Sequence, residues 1–372
     1  MSRFPHRQGT LPNLALGLLF VCALAVFLLM EAIRSYGPDP LHSAKAAAIQ
    51  LMQKSLALIK AERLRSGTRI DPTIDTNETG MIGERYSDLT TTLGSLPSKR
   101  TSTNPLFAAA VVDMLDRANV RRGDSVAISF SSSFPALNVA VLSAASALDL
   151  KAVIVSSVGA SMYGANDPRM TWLDMESLLK KNGVFEYQSA AASLGGIVDT
   201  KGGLDGTGVE LGLLSIRRNH VDLLEEGGVT TQQRDIRRRL DLYTTLLNGA
   251  KPAVFINVGA SQTALGNSPE AYTLATGLLE KPAVSDDPER GVIFHMAERG
   301  VPVIHLLKIR SLAKYFSIPF DPAPSRKAGQ DVNPGGAGYS RSAAFMTLFV
   351  LLFLMALSKY HYSARTVPHP AS

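Results

Sequence analysis

The chain has 372 residues, a formal net charge of +6 and a single cysteine, Cys22. This length allows one large or two modest domains with a substantial core. The mildly basic balance comes without a basic stripe or interleaved aromatic residues, which argues against a nucleic-acid partner. Because Cys22 is alone and lies inside an apolar run, the sequence excludes an intramolecular disulfide.

An apolar run near each end of the chain predicts a membrane-spanning helix. The runs cover residues 14–30 and 342–358, and each is close to the lower limit of about 17 residues for crossing a bilayer. A cleaved signal peptide is the alternative for the first run, although residues 31–35 lack a convincing small-x-small cleavage site. Basic residues beyond the outer end of each run favour a cytoplasmic location for both termini.

The two predicted spans divide the chain into segments. The long stretch between them predicts a globular body outside the cytoplasm, and its Pro-, Gly- and Ser-rich end indicates a linker. The predicted organisation in the cell (inner) membrane is a cytoplasmic tail (1–13), a transmembrane helix (14–30), an extracytoplasmic α/β domain (40–320), a linker (321–341), a second transmembrane helix (342–358) and a cytoplasmic tail (359–372).

The body begins with a predicted amphipathic helix over residues 42–66 and then reaches a polar loop. Asn104 followed by Pro105 is typical of a helix start, so backbone amides without helical partners lie beside this loop. Amides, hydroxyls and two cations together form a candidate anion site, and a capped, solvated loop is the alternative. The candidate ligand-binding residues of the loop are Lys99, Arg100, Thr101, Ser102, Thr103 and Asn104.

A strand, a serine-rich loop, a helix and a second strand follow, which is a βαβ unit. The first strand covers residues 126–130, the helix begins at Pro135, and the second strand covers residues 152–158. Open α/β sheets bind ligands at the carboxyl ends of their strands, where Ser131 and Ser133 lie. The pattern predicts an α/β fold with a doubly wound, mostly parallel sheet.

The tetrapeptide Val-Gly-Ala-Ser occurs at the end of two predicted strands and ends at Ser161 and Ser261. The shared position suggests a sheet built from two related halves, each presenting a serine loop to one crevice. Tyr163 and Asn166, which follow the first copy, complete the set of candidate ligand-binding residues. Neither copy is a nucleophile elbow, because Tyr163 and Thr263 stand where that motif needs glycine.

Histidines and arginines in the second half of the body have plain interpretations. His295 and His305 lie without an accompanying Cys, Asp or Glu cluster, so packed histidines are favoured over metal ligands, and we predict neither a metal nor a cofactor. The arginines at 234 and 237–239 indicate a solvated helix face, with a contact for a polyanion or anionic lipid as the alternative.

Several segments between residues 70 and 320 follow one another in an order typical of a known family. They are Asp71-Pro72, Thr90-Thr-Thr-Leu-Gly-Ser95, Lys99-Arg-Thr-Ser-Thr-Asn-Pro105, Ser133-Phe-Pro-Ala-Leu137, Gly159-Ala-Ser-Met-Tyr-Gly-Ala-Asn166, Thr171-Trp-Leu-Asp-Met-Glu176 and His305-Leu-Leu307. In these segments the chain resembles the poly-gamma-glutamate system protein family. Ser129 and Ser132 depart from the family pattern, which usually has glycine there.

The resemblance implies a component of poly-gamma-glutamate (capsule or exopolymer) biosynthesis or export. The implied partners are the polymer or a related anionic ligand, the membrane and other subunits of the synthesis and export complex. It transfers no catalytic residue. Residues 129–133 with the following helix and strand also resemble, more loosely, the phosphate loop of sugar isomerase domains.

Three roles therefore remain open: a binding or assembly subunit for an anionic ligand, a serine-dependent hydrolase or transferase acting on poly-gamma-glutamate, and a sugar-phosphate-binding domain. The sequence offers no defensible Ser/His/Asp spacing, so enzyme status stays undecided.

Overall fold

The computed structural model describes residues 20–22, 24–25, 41–195, 203–224, 232–282 and 284–322. The fold below is that of the unit Pro40–Pro334. The predicted spans over residues 14–30 and 342–358 lie almost entirely outside the described ranges, as do both tails and most of the linker. Within these ranges, no helix combines the length and the apolar character needed to cross a bilayer.

The body is an α/β fold with a mostly parallel sheet, as the sequence predicts. The strands are β1 (Thr90–Thr92), β2 (Ser125–Ser131), β3 (Lys151–Ser157), β4 (Ala160–Ser161), β5 (Ala191–Ser193), β6 (Asp222–Leu223), β7 (Phe255–Val258), β8 (Gly277–Leu279) and β9 (Val303–Leu306). Among the described residues, seven of these strands form one sheet in the order β6-β5-β3-β2-β7-β9-β8, in which β8 alone is antiparallel to its neighbour. The strands β1 and β4 form a separate parallel pair.

Helices connect the strands and cover the sheet. They are α1 (His42–Arg65), α2 (Leu96–Ser102), α3 (Leu106–Arg117), α4 (Pro135–Ala147), α5 (Trp172–Lys181), α6 (Gly206–Arg218), α7 (Gln232–Leu246), α8 (Gln262–Leu265), α9 (Pro269–Thr273), α10 (Val292–Glu298) and α11 (Ile309–Tyr315). The predicted helix over residues 42–66 corresponds to α1, and the predicted βαβ unit corresponds to β2, α4 and β3.

Successive residues of β2 point to opposite faces of the sheet, and apolar residues pack on both faces. Ile128 and Phe130 pack in one core cluster with α1, α3 and α4, and Ala127 packs in a second cluster with α7 and α10. Phe130 contacts the Trp172 ring edge-to-face at 5.4 Å between centroids. A strand buried on both faces needs side chains that exclude water from each side, which is what its nearly continuous apolar run provides.

The segment between α1 and β1 is held against the body by buried polar side chains. Arg63 is 3 % exposed and donates to the carbonyls of Gly80 (3.1 Å) and Ile82 (2.9 Å). Its guanidinium also lies 3.6 Å from the carboxylate of Asp167. Because buried carbonyls and charges need partners, these contacts fix the chain that leads into β1.

Candidate functional site

A cavity of about 340 Å³ lies at the carboxyl edge of the main sheet. Ser131 ends β2, Ser157 ends β3, Ser261 follows β7 and Leu307 follows β9, so four neighbouring strands contribute to its wall. The lining residues are Thr91, Thr92, Leu93, Gly94, Ser95, Lys99, Ser131, Ser133, Phe134, Ser157, Gly159, Ser161, Ala260, Ser261 and Leu307. This is the position at which parallel α/β sheets bind ligands.

Lys99 is the basic residue of this cavity. The side chain is 2 % exposed, and its Nζ donates to Ser161 Oγ at 2.7 Å and to the carbonyl of Ser133. The same nitrogen lies over the ring of Phe134, 3.9 Å from the centroid. Three polar or aromatic groups therefore surround the amine, and none of them carries a negative charge.

Burial lowers the pKa of Lys99 from 10.5 to about 7. Among the described residues, no carboxylate forms an ion pair with it, and the adjacent Arg100 pairs instead with Asp321 at 2.9 Å. The amine is therefore close to half-protonated at neutral pH. An uncompensated buried charge is costly, so this position strongly favours either the neutral amine or a negatively charged ligand beside it.

The serines beside Lys99 form a connected set. The backbone N–H of Ser161 donates to Ser133 Oγ at 3.0 Å, and the backbone N–H of Ser133 donates to Ser131 Oγ at 3.2 Å. Asn138 in the first turns of α4 donates to the carbonyl of Ser131 at 3.1 Å. These contacts fix the loop between β2 and α4, so the hydroxyls at the cavity wall have defined positions.

A second row of serines crosses the carboxyl edge. Ser131, Ser157 and Ser193 are register partners on β2, β3 and β5. The guanidinium of Arg239 donates to Ser193 Oγ at 2.5 Å and to Ser157 Oγ at 3.3 Å. Ser157 Oγ also lies 3.4 Å from Ser193 Oγ, so its O–H can donate to Ser193 or to a ligand in the cavity.

Sequence reasoning missed both Ser157 and Arg239. Ser157 could have been found, because it lies at the carboxyl end of the predicted strand over residues 152–158, which follows the strand that leads to Ser131. Arg239 belongs to a charge run assigned to a solvated face. Its neighbours Arg234 and Arg237 are exposed, whereas Arg239 is 1 % exposed and lies 3.4 Å from Asp235 one turn earlier. Three consecutive arginines on a helix cannot all face water when one side of that helix packs on a sheet, because successive side chains point in different directions.

The structure brings Lys99, Ser131, Ser133, Ser161 and Ser261 to the cavity and places the rest of the predicted loop elsewhere. Arg100 pairs with Asp321, as described above. The hydroxyls of Thr101, Ser102 and Thr103 donate to carbonyls three or four residues earlier, at 2.7 Å in each case. Asn104 Oδ1 accepts from the N–H of Leu106 at 3.0 Å. Thr101 Oγ1 also accepts from the N–H of Asp321 at 2.8 Å. The side chains of residues 101–104 therefore bond to the backbone, and none of them lines the cavity.

Lys99 reaches the cavity and its neighbours do not because most of the predicted loop is helical. Ser95 caps α2, Pro97 occupies its first turn, and the helix continues to Ser102. Proline is favoured in the first turn, where its missing N–H costs no hydrogen bond. A helix turns successive side chains about 100° apart, so Lys99 faces the cavity while Arg100 faces away.

Tyr163 and Asn166 support the cavity wall from outside it. The backbone of Tyr163 bonds to Gly83 and Glu84 at 3.2 and 2.8 Å. Asn166 is fully buried and accepts from the N–H of Glu84, while its amide group donates to the Glu84 carbonyl and to Thr90 Oγ1. Neither residue lines the cavity, and both hold the segment that leads into β1.

The two histidines have separate environments. His305 Nδ1 lies 3.0 Å from the side-chain amide of Asn257, and burial lowers the pKa of His305 to about 4. His295 is partly exposed and lies 4.0 Å from Glu298. In the part of the chain that the structure describes, no group of three or more His, Cys, Asp or Glu side chains is arranged to hold a metal ion.

No protein-family model, curated protein or solved structure matches this chain. The fold and the site together define an α/β protein with a lysine- and serine-lined cavity at the carboxyl edge of a parallel sheet.

Proposed function

We propose that this chain is a membrane-anchored component of poly-gamma-glutamate biosynthesis or export that binds a carboxylate-bearing chain in the Lys99 cavity. The pathway rests on the sequence resemblance over residues 70–320. The observation that carries the binding site is a 2 %-exposed lysine, at a cavity lined by serine hydroxyls, that has no acidic partner among the residues the structure describes.

The amine of Lys99 makes an anionic ligand favourable. Its protonated form is penalised by burial, and a ligand carboxylate beside Nζ would supply the missing countercharge. Charge-assisted hydrogen bonds contribute about 1.5–3 kcal/mol each when they are desolvated. Binding of a carboxylate should therefore raise the pKa of Lys99, since the ligand stabilises the charged form.

Hydroxyls and a helix end add donors for further oxygens. The loop of Ser131, Ser133 and Phe134 leads directly into α4, a helix of 13 residues whose N-terminus favours negative charge. Ser157, polarised by Arg239, is a further donor on the adjacent strand. A polymer with one carboxylate per residue suits such a site, because each carboxylate can accept hydrogen bonds from a different one of these donors.

The binding prediction is tested by titration calorimetry of the full-length protein in a non-ionic detergent. We expect synthetic oligo-γ-glutamate to bind, and Lys99→Met to weaken binding by about 10- to 100-fold. Because Lys99 loses its charge as the pH rises through about 7, wild-type affinity should fall by up to about tenfold between pH 6 and pH 8. Lys99→Met should lack this pH dependence.

The matched control is Lys60→Met, which removes a lysine that pairs with Glu78 on the surface of α1. It should bind like the wild type. Absence of heat with oligo-γ-glutamate at any of these pH values would contradict the proposal. Clear heat with a hexose phosphate in the same experiment would instead favour the sugar-phosphate-binding role, which the serine loop before α4 also suits.

The membrane arrangement is part of the same proposal. We propose two membrane spans over residues 14–30 and 342–358, with both termini in the cytoplasm. The body, built from two related halves, then faces outward and contacts other subunits of the synthesis complex. Protease added to intact spheroplasts should then remove the body and spare both tails. A body that is cut only after the membrane is broken would contradict this topology.

A further inference from the structure

The contacts of Lys99 direct the lone pair of its neutral amine toward Ser161 Oγ, from which it can take a proton. A neutral amine has two N–H bonds and one lone pair. The carbonyl of Ser133 accepts from this nitrogen, and the face of the Phe134 ring lies 3.9 Å away and suits a second N–H. The lone pair is then directed to the third neighbour, Ser161 Oγ, at 2.7 Å. When the amine is neutral, the O–H of Ser161 therefore donates a hydrogen bond to the lone pair of Lys99 Nζ.

Ser161 is held in a fixed position at the cavity wall. It lies on β4, which pairs with β1, and its backbone N–H is bound to Ser133 Oγ at 3.0 Å. Its side chain lines the cavity beside Lys99, and the residue is 6 % exposed. A nucleophile must be fixed relative to its base and must face the space in which a substrate lies, and Ser161 meets both conditions.

We propose that Ser161 is a nucleophile and Lys99 its general base in an acyl-transfer reaction on an amide or ester. Ser133 is a positioning residue, since its carbonyl orients the amine and its hydroxyl holds the backbone of Ser161. A serine activated by a lysine is a known alternative to activation by histidine.

The protonation state of Lys99 at neutral pH supports this role. Burial brings its pKa to about 7, near the value at which a general base works best. The elements packed against α2 include α4 and β4, which contain no titratable side chain, and α11, which contributes Arg310, Lys314 and Tyr315. The flanking charges are Arg100 and Asp321, which pair with each other, and Lys308, which donates to the carbonyl of Leu274. No carboxylate among the described residues pairs with Lys99, so the charged form is stabilised here by uncharged groups such as the Ser133 carbonyl and the Phe134 ring.

The reaction balances with water or an amine as the acceptor. Ser161 Oγ forms a bond to the substrate carbonyl carbon while its proton passes to Lys99 Nζ. The bond from that carbon to the leaving nitrogen or oxygen then breaks, and the leaving group takes the proton from Lys99. Water or the acceptor amine next attacks the acyl-serine, gives its proton to Lys99, and the proton returns to Ser161 Oγ as the acyl group departs.

The N-terminus of α4 is placed to stabilise the oxyanion of this reaction. Pro135 has no N–H, so the donors are the N–H groups of Ala136 and Leu137, which have no acceptor within the helix, and the residues just before α4 line the cavity beside Ser161. The choice of substrate rests on the proposed function: if the cavity binds γ-linked glutamate chains, the bond cleaved or transferred is the γ-amide. The assignment of nucleophile and base does not depend on that choice.

A small alkyl fluorophosphonate tests the pair without knowledge of the substrate. In the full-length protein in detergent, we expect mass spectrometry to locate the label on Ser161. The labelling rate should rise with pH, reach half its maximum at about pH 7 and level off about one unit higher, as Lys99 becomes neutral. Ser161→Ala should abolish this label, and Lys99→Met should slow it by at least about 100-fold.

Two substitutions serve as matched controls. Ser143→Ala removes the hydroxyl of a fully buried serine about two turns along α4 from the cavity, and Lys60→Met removes a surface lysine. Both should label at the wild-type rate. Wild-type protein that carries no label on Ser161, or Lys99→Met protein that labels at the wild-type rate, would overturn the assignment, and the first outcome needs no variant that might fail to fold.

Incubation with oligo-γ-glutamate separates this inference from the proposed function. Shortening or transfer of the oligomer by the wild type, and its loss in Ser161→Ala while binding persists, would support both. Labelling of Ser161 without binding of the oligomer would support the nucleophile and overturn the substrate. Binding of the oligomer without labelling would support the binding site and overturn the nucleophile.

Discussion

Replacing Arg63 by Met is expected to lower the free energy of unfolding by about 3–5 kcal/mol. Arg63 is buried, and its guanidinium serves the carbonyls of Gly80 and Ile82 and faces the carboxylate of Asp167. Methionine preserves much of the side-chain volume but removes the donors. Two buried carbonyls then lose their partner, and a carboxylate that is 2 % exposed loses a cation.

Arg169→Met is the matched control for this change. Arg169 also pairs with Asp167, at 3.0 Å, but it is 62 % exposed. Solvent screens such a pair, so its loss should cost less than about 1 kcal/mol. Urea unfolding of the full-length variants in detergent measures both values. Equal losses for the two arginines would contradict the role assigned to Arg63.

Replacing Asn166 by Ala is expected to lower the free energy of unfolding by about 2–4 kcal/mol and to loosen the cavity wall. The side chain makes hydrogen bonds of 2.9 Å to both backbone groups of Glu84 and of 2.8 Å to Thr90 Oγ1. The bond to Thr90 is buried and the two bonds to Glu84 are partly buried, and a buried group left without a partner costs about 1–3 kcal/mol. Thr91 and Thr92 directly follow Thr90 in the chain and line the cavity, so binding of oligo-γ-glutamate at Lys99 should weaken as well.

Asn182→Ala provides the comparison for this second change. Asn182 is exposed, and its amide donates to the carbonyl of Leu178 at the end of α5. Hydrogen–deuterium exchange should accelerate over residues 84–95 in Asn166→Ala and stay unchanged there in Asn182→Ala. Unchanged exchange over residues 84–95 in Asn166→Ala would show that other contacts hold the segment.

The sheet and the location of the site follow from local sequence patterns. A doubly buried strand requires a nearly continuous apolar run, and residues 126–130 have one. Ser131 and Ser133 lie at its carboxyl end because the chain must turn there before the helix that Pro135 starts. Parallel pairing then brings the ends of β2, β3, β7 and β9 to one edge. These features depend on few residues, which is why they are predictable.

The chemistry of the site depends on contacts that no local pattern contains. Lys99 and Arg100 are adjacent cations, and only the orientation of α2 against α4 buries one and pairs the other with Asp321. Arg239 is buried for a similar reason, since α7 turns that side of the charge run onto the sheet. Asn166 binds Glu84, a residue far away in sequence, so its structural role could not be predicted from its neighbours.

Direct titration of Lys99 tests the central claim most directly. The Nζ signal of ¹⁵N-lysine-labelled protein, assigned by its loss in Lys99→Met, reports the pKa by NMR. We predict a pKa of about 7 in the free protein, far below the ordinary 10.5, and a higher pKa when oligo-γ-glutamate is bound. A pKa near the ordinary value in the free protein, or one that the oligomer does not change, would contradict the proposed site.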